Sequence, residues 1–333
     1  MKNSSGLLSF VGKQTAKFII LIIAISMMTF VLVAASPIDP VAMNTGQAAY
    51  SNMSPEKKAQ LEEYWGVDTP ITEKYVHWVK GVLHGDWGIS LRYNQPVMEV
   101  VGERFANSLM LMITAWIFSG IFGLILGVVA GTHRGKVIDR IVQGYSLTLA
   151  AVPTFWLALV MLMVFAVWLG WFPIGMSVPI GVSAEDVTLW DRIYHLILPA
   201  LTLSVIGVAN IALHTREKVI DIMESDYYLY AIARGESKWH AVRHHALRNL
   251  LLPAITLQFA SISEIFGGSV LVEQVFSYPG LGNAAVTAGL GGDAALLVGI
   301  AIVSACFVYF GNLTANILYG VVDPRIRRGQ GIG

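Results

Sequence analysis

The groups that could do chemistry in this sequence are few, and the most conspicuous is a single carboxylate. Glu264 is the only charged residue within six long apolar runs, and it lies 14 residues into a 23-residue run. An unpaired charge at that depth of a bilayer costs at least about 2.5 kcal/mol, so it cannot face lipid comfortably. Ser261 and Gly268, three and four residues away, share its helical face and make a polar, small-residue stripe. Two readings stand open: a structural bond to a neighbouring helix, with His214 as one candidate, or a lining residue of a path that meets a cationic or metal-bearing substrate. The other reactive groups read more plainly. His244 and His245 are adjacent, and helical neighbours point about 100° apart, so they do not share a metal as an i, i+4 pair would. Cys306 has no second cysteine to pair with and sits in an apolar run as a buried, inert thiol. The stretch from Gly131 to Lys136 has the wrong spacing for a phosphate-cradling loop and lacks the Ser or Thr after Lys that would hold magnesium. No Ser/His/Asp grouping or paired carboxylates point to hydrolysis. If ATP is used, another chain binds it.

The elements that must carry these residues are membrane helices. Of 333 residues 55% are hydrophobic and 13% charged, against roughly 45–50% and 25% in a soluble domain. A bilayer core of about 30 Å needs roughly 20 apolar helical residues. Six runs qualify: 18–35, 109–131, 141–170, 195–213, 250–272 and 294–322. The first exceeds the roughly 7–15 residues of a signal-peptide core and reads as a retained helix. Gly123, Gly127 and Gly131 form a stripe at every fourth position of the second run, which lets a neighbouring helix approach closely. Pro153 and Pro199 interrupt the third and fourth and free backbone carbonyls there.

Orientation follows from the Lys and Arg between spans. The N-terminal tail, the 132–140 loop, the 214–249 segment and the C-terminal tail hold 15 basic and 7 acidic residues, a net +8. The alternate loops hold 7 basic and 13 acidic, a net −6. Both termini are expected in the cytoplasm. Lys plus Arg and Asp plus Glu each number 22, so no overall field favours nucleic acid. The organisation expected is a tail and first span over 1–35, an outer loop over 36–108, a five-span core over 109–322 that includes the cytoplasmic loop 214–249, and a tail over 323–333. The outer loop carries helices: Ser54 and Pro55 open one, and a second from Pro70 puts Tyr75, Trp78, Val79, Val82 and Leu83 on one face before Gly85.

The most organised cytoplasmic stretch runs from Arg216 to Pro253. Residues 219–234 hold no Gly or Pro, acids give way to Arg234 as a helix dipole prefers, and Gly235 can take the left-handed cap. Ser237 then caps a second helix that runs into the fifth span at Pro253. Ala231, Ala233 and Gly235 are small residues at the bend and leave room for a partner surface. The segment reads as a docking elbow.

Its landmarks resemble a known family. Asp226-Tyr227, Ala231 with Gly235 four residues on, and His245-Ala-Leu-Arg-Asn-Leu-Leu-Leu-Pro253 resemble the cytoplasmic signature loop of binding-protein-dependent ABC importer permeases, in the dipeptide/oligopeptide/nickel branch. Further landmarks follow in order: Gly85-Asp-Trp-Gly-Ile-Ser-Leu91, Val152-Pro-Thr-Phe-Trp-Leu157, Leu169-Gly-Trp-Phe-Pro173, His195-Leu-Ile-Leu-Pro-Ala-Leu201, Val272-Glu-Gln-Val-Phe-Ser-Tyr-Pro-Gly-Leu-Gly282 and Asp323-Pro-Arg-Ile-Arg327. One departure is Leu229-Tyr230-Ala231, where the general signature has Glu-Ala-Ala, with the acid moved to Asp226. The resemblance implies an all-α integral membrane protein of six transmembrane helices with the type I ABC importer permease fold, in the cytoplasmic (inner) membrane. It implies a second homologous permease subunit, two ATPase subunits that bind the ATP and magnesium, and an extracytoplasmic solute-binding protein, with no cofactor in this chain. Asp226, Ala231, Ala233, Gly235, His245 and Arg248 would then couple to the ATPase, with the bend around Gly235 as the coupling helix. Glu264, Gly267 and Gly268 would lie on the translocation pathway, or Glu264 would bond the partner permease. Peptides are the substrate expected of the branch, with nickel or another metal chelate as the alternative, since its nickel permeases also place an acid just before a Gly-Gly pair. A secondary transporter would need coupling charges in paired broken helices, and five of the six runs carry none.

Overall fold

The computed structural model describes residues 3–36, 39–64, 69–183 and 185–322. The order of helices is α1 (Asn3–Ala34), α2 (Pro40–Thr45), α3 (Gln47–Ser51), α4 (Pro55–Tyr64), α5 (Ile71–Leu83), α6 (Val97–Thr132), α7 (Val137–Ala151) and α8 (Thr154–Met161), which continues as a π-helix over Leu162–Trp168. Then come α9 (Leu189–Met223), α10 (Asp226–Ala233), α11 (Lys238–Ala241) with a π-turn over Val242–Ala246, α12 (Leu247–Ala260), α13 (Ile262–Val275), α14 (Leu281–Leu290) and α15 (Ala294–Val322). Among the described residues there is one isolated bridge, Ile89 with Pro96, and no strand. The expected tail 323–333 and its Asp323–Arg327 landmark lie outside the described residues.

Among the described residues four helices are long and apolar enough to cross a bilayer: Gln14–Ala34 within α1, Val97–Thr132, Leu189–Met223 and Ala294–Leu318. Two more crossings are broken pairs. α7 and α8 bend by 110° about residues 152–153, and Ala254–Ala260 and α13 bend by 48° at Ser261. Counting each pair as one span makes six. The two prolines thus act differently. Val152 is extended (φ −89°, ψ 126°), the conformation preferred before proline, and the helix stops there. Pro199 is buried inside α9, which does not break, so the expected interruption of the fourth span is absent.

The described residues of Met1–Ser108 and Pro279–Tyr309 form one compact unit, and those of Leu109–Tyr278 and Phe310–Gly333 form another. In the first, Val97, Val100 and Val101 pack with Leu281, Ala284, Ala288, Leu296 and Ile300. α5 lies against α1 through Tyr75 and Trp78, whose rings sit 5.2 and 5.5 Å from that of Phe30, and Tyr75 Oη shares a hydrogen bond with Ser26 Oγ at 2.9 Å. Leu83, expected on that face, is instead 79% exposed at the last turn. Ser54 caps α4 as expected, its Oγ accepting from the Lys57 N–H. Asp293, fully buried, accepts from the Ser90 hydroxyl at 2.6 Å and from the N–H groups of Arg92 and Leu296 at 3.1 Å each.

The second unit is organised by the glycine stripe. A Cβ on Gly123 would lie 2.7 Å from Ile211 Cβ, one on Gly127 2.4 Å from Thr215 Cβ, and one on Gly131 2.7 Å from Val219 Cβ. Gly207 on α9 answers in kind, since a Cβ there would lie 2.8 Å from Ser119 Cβ. All four pairs share one offset, 88 residues, so α6 and α9 run parallel and in contact. α12 runs the other way along α6: Trp116 Nε1 donates to the Gln258 carbonyl at 2.8 Å, while Val128 shares a core with Leu250. Two parallel helices joined in sequence require a return path between them, and the α7–α8 pair supplies it.

Candidate coupling elbow and pathway face

Between the fourth and fifth spans the chain turns twice. α9 runs on to Met223, and Glu224 and Ser225 then break it, so the uninterrupted helix expected over 219–234 is two helices. Ser225 turns extended (φ −76°, ψ 148°) before α10, and Asp226 lies exposed in the first turn, where the helix dipole favours an acid. α10 ends in a Schellman-type cap. Gly235 stands at φ +88°, its N–H donating to the Ile232 carbonyl at 2.9 Å, and the Glu236 N–H reaches back to Ala231 at 3.2 Å. Ser237 Oγ accepts from the His240 N–H at 3.3 Å and opens the second arm as expected.

The two faces of α10 differ sharply. Tyr228 and Ala231 are buried with Val128, Val219, Ala241, Val242 and Leu250. Ala231 therefore does not leave room for a partner; its methyl seats the helix on α6, α9 and the second arm. Ala233 and Gly235 are exposed, and nothing approaches within 4 Å of where a Gly235 Cβ would be. Beside them Tyr227, Leu229 and Tyr230 are 45%, 54% and 66% exposed, and the Arg234 guanidinium lies 5.9 Å from the Tyr230 ring centre. The outward face of α10 is thus apolar and aromatic while its inner face is fixed in a core. The sequence reading names the small residues Ala231, Ala233 and Gly235 and not these larger exposed ones. The signal was present in the apolar positions of Asp226–Ala233, but not which face points inward. The side chains of His245 and Arg248 lie outside the described residues.

The elbow is tied to the preceding span by ion pairs that sequence reading also missed. Asp139, at the start of α7 and 1% exposed, receives Arg216 on both oxygens, Nε at 2.5 Å and Nη2 at 2.9 Å. It further accepts from the Gly135 N–H at 2.8 Å and Gln143 Nε2 at 3.0 Å. Arg134 pairs with Glu224 at the surface. His240 and His244, an i, i+4 pair passed over in favour of the adjacent one, stack with ring centres 4.2 Å apart. Among the described residues no three His, Cys, Asp or Glu gather as a metal site.

Glu264 stands in the first turn of α13, directly after the bend at Ser261 and near the middle of the broken span formed by Ala254–Ala260 and α13. Its structural partner is Asn210, whose Nδ2 donates to Oε1 at 2.8 Å, not His214 one turn further along α9. Gly268 packs inward, where a Cβ would lie 2.9 Å from Leu203 Cδ1. Gly267 and Glu264 are exposed, and a Gly267 Cβ would have nothing within 4 Å. Ser263 donates to Asn312 Oδ1 at 2.8 Å nearby. An anchored carboxylate beside an open glycine is thus presented on an uncovered face of a broken span.

A multi-pass, all-helical membrane protein with a structured elbow between its fourth and fifth spans is the class these features define. Residues 123–328 match the family model described as "Binding-protein-dependent transport system inner membrane component", and residues 7–114 match "Binding-prot-dependent transport system membrane comp, N-term". The chain belongs to this family of ABC importer permeases, with its type I fold. It is 34% identical over 321 residues to the oligopeptide transport system permease protein AppB of Bacillus subtilis (strain 168), covering 96% of this chain and 99% of that one. It is 32% identical over 339 residues to the dipeptide transport system permease protein DppB of Escherichia coli (strain K12), with coverage of 96% and 99%. The di/tripeptide transport system permease protein DppB of Pseudomonas aeruginosa (strain UCBPP-PA14) is 32% identical over 336 residues, with the same coverage.

Proposed function

We propose that this chain forms half of the translocation pathway of an ATP-driven importer of small peptides. It works with a second, similar permease, two ATPase subunits that bind ATP and magnesium, and an extracytoplasmic solute-binding protein. The observation that carries the reading is the elbow: a capped helix, seated on a core of α6 and α9, that turns Tyr227, Leu229 and Tyr230 outward. The peptide relatives support the substrate class. Both termini and the elbow lie in the cytoplasm, a placement supported by the +8 and −6 division of charge.

In this reading closure of the ATPases moves α10, and the parallel α6–α9 pair carries the movement into the membrane. Asp226, Ala233 and Gly235 belong to the contact with the ATPase, Ala231 holds the helix beneath it, and His245 and Arg248 belong to the second arm. Glu264, steadied by Asn210, lines the path with Gly267, while Gly268 sets the approach of α13 to α9. Affinity purification of the tagged chain from its native membrane tests the assembly. It should retain two kinds of partner, ATPase chains and a second permease, and Tyr230→Asp should release the ATPase chains while the second permease stays. Retention of the ATPases by Tyr230→Asp would remove the outward face of α10 from the contact.

A further inference from the structure

The turn between the second and third spans is strapped to the elbow by two ion pairs of opposite polarity. From the turn, Arg134 reaches Glu224 at the end of α9, and from α9, Arg216 reaches back to Asp139. The first pair is exposed, 58% and 64%, and water screens it. The second is enclosed, and its carboxylate has all its acceptor positions filled: Arg216 Nε and Gln143 Nε2 on Oδ1, Arg216 Nη2 and the Gly135 N–H on Oδ2. A bidentate guanidinium fixes orientation as well as distance. Arg216 lies one turn before Val219, which is packed in the same core as Tyr228 and Ala231 of α10. A continuous set of contacts therefore runs from α10 through Val219 and Arg216 to Asp139 at the head of α7.

We propose that Asp139 and Arg216 are positioning residues for energy coupling, a latch that makes the head of the third span move with α9 and the coupling helix. Resting on the proposed docking of α10 to an ATPase, this assigns the transmission step to a named pair. α7 also packs along α9, with the Tyr145 hydroxyl donating to the Val205 carbonyl at 3.0 Å and Val142 in one core with Ala212. The latch adds a fixed orientation at the head of α7, where Asp139 stands, before the 110° bend into α8.

The test uses the assembled complex with its binding protein in proteoliposomes. Arg216→Gln and Asp139→Asn should retain the ATPase subunits and hydrolyse ATP, yet the ATP consumed per substrate imported should rise by about fivefold or more. The exchange Asp139→Arg with Arg216→Asp should recover much of the ratio. An unchanged ratio in assembled single variants overturns the latch, and loss of ATPase subunits from them would instead count against the docking scheme beneath it. A second measurement keeps the native pair. In a Cys306→Ala background, spin labels at the exposed positions Arg140 and Glu217 should report one distance, the same in nucleotide-free and ATP-trapped complexes. A distance that shifts between those states would show α7 and α9 moving independently, and the proposal would fall even if single variants did not fold.

Discussion

Adding one methyl group should have opposite effects on stability at Gly127 of α6 and at Gly144 of α7. At Gly127 the new Cβ would meet Thr215 Cβ at 2.4 Å, Thr215 Cγ2 at 2.7 Å and the Ala212 carbonyl oxygen at 2.7 Å. Carbon atoms rest about 3.5–4.0 Å apart, so α6 and α9 would have to separate by about 1 Å or more. Two of the three atoms cannot rotate away, and the separation would loosen the registers at Gly123 and Gly131 as well. Overpacking of this kind costs about 1–3 kcal/mol, with this geometry at the upper end. The helical preference of Ala over Gly returns about 0.5–1 kcal/mol, leaving a net loss of about 2 kcal/mol. At Gly144 a Cβ meets nothing within 4 Å, so Gly144→Ala keeps the gain alone, about 0.5–1 kcal/mol. Thermal unfolding of the purified variants by fluorescence should show Gly127→Ala below the parent and Gly144→Ala at or above it. Equal midpoints for the two would refute the parallel, intimate packing of α6 on α9.

Three further outcomes follow from other sites. Gly235→Val meets no atom, yet places a β-branched residue at φ +88°, at a cost of roughly 1 kcal/mol or more; abundance should stay near normal while ATP hydrolysis separates from transport, and a fall in abundance alone would leave Gly235 as a simple cap. Glu264→Gln preserves the Asn210 bond but removes the charge; uptake should drop without loss of abundance, assembly or basal ATP hydrolysis, more for a cationic or metal-chelate substrate than for a neutral one, and unchanged uptake would leave a structural role only. In a Cys306→Ala background, cysteines at the exposed positions Asn52 and Glu185 should react with an impermeant thiol reagent applied to intact cells while one at Lys136 stays unlabelled, and labelling at 136 would invert the topology.

The features that the sequence discloses and those it hides divide along physical lines. The stripe Gly123, Gly127, Gly131 was legible because a four-residue period of missing side chains has one structural use, close approach. Gly235, Ser54 and Ser237 were legible because caps are local. The break at Ser225 was not, since serine is tolerated within helices and here tertiary packing of Tyr228 and Ala231 sets the turn. The bend at Ser261 has no proline or glycine to announce it. Pro153 and Pro199 look alike in sequence, yet α9 continues through the buried Pro199 while the helix before Pro153 stops at Ala151. Asn210 and His214 are one turn apart on α9, and only the antiparallel register of α13 chooses between them. Asp139 and Arg216 are 77 residues apart, and nothing in either neighbourhood names the other.

The proposed role is conduction of peptides under the control of ATP hydrolysed by other subunits. Its most direct test is uptake of a labelled dipeptide into proteoliposomes holding the purified complex, with binding protein outside and ATP inside. Accumulation should need the binding protein, internal ATP and this chain together, and should stop with a non-hydrolysable nucleotide. Accumulation driven by an ion gradient without ATP would contradict it, as would a system that takes up nickel chelate but no peptide.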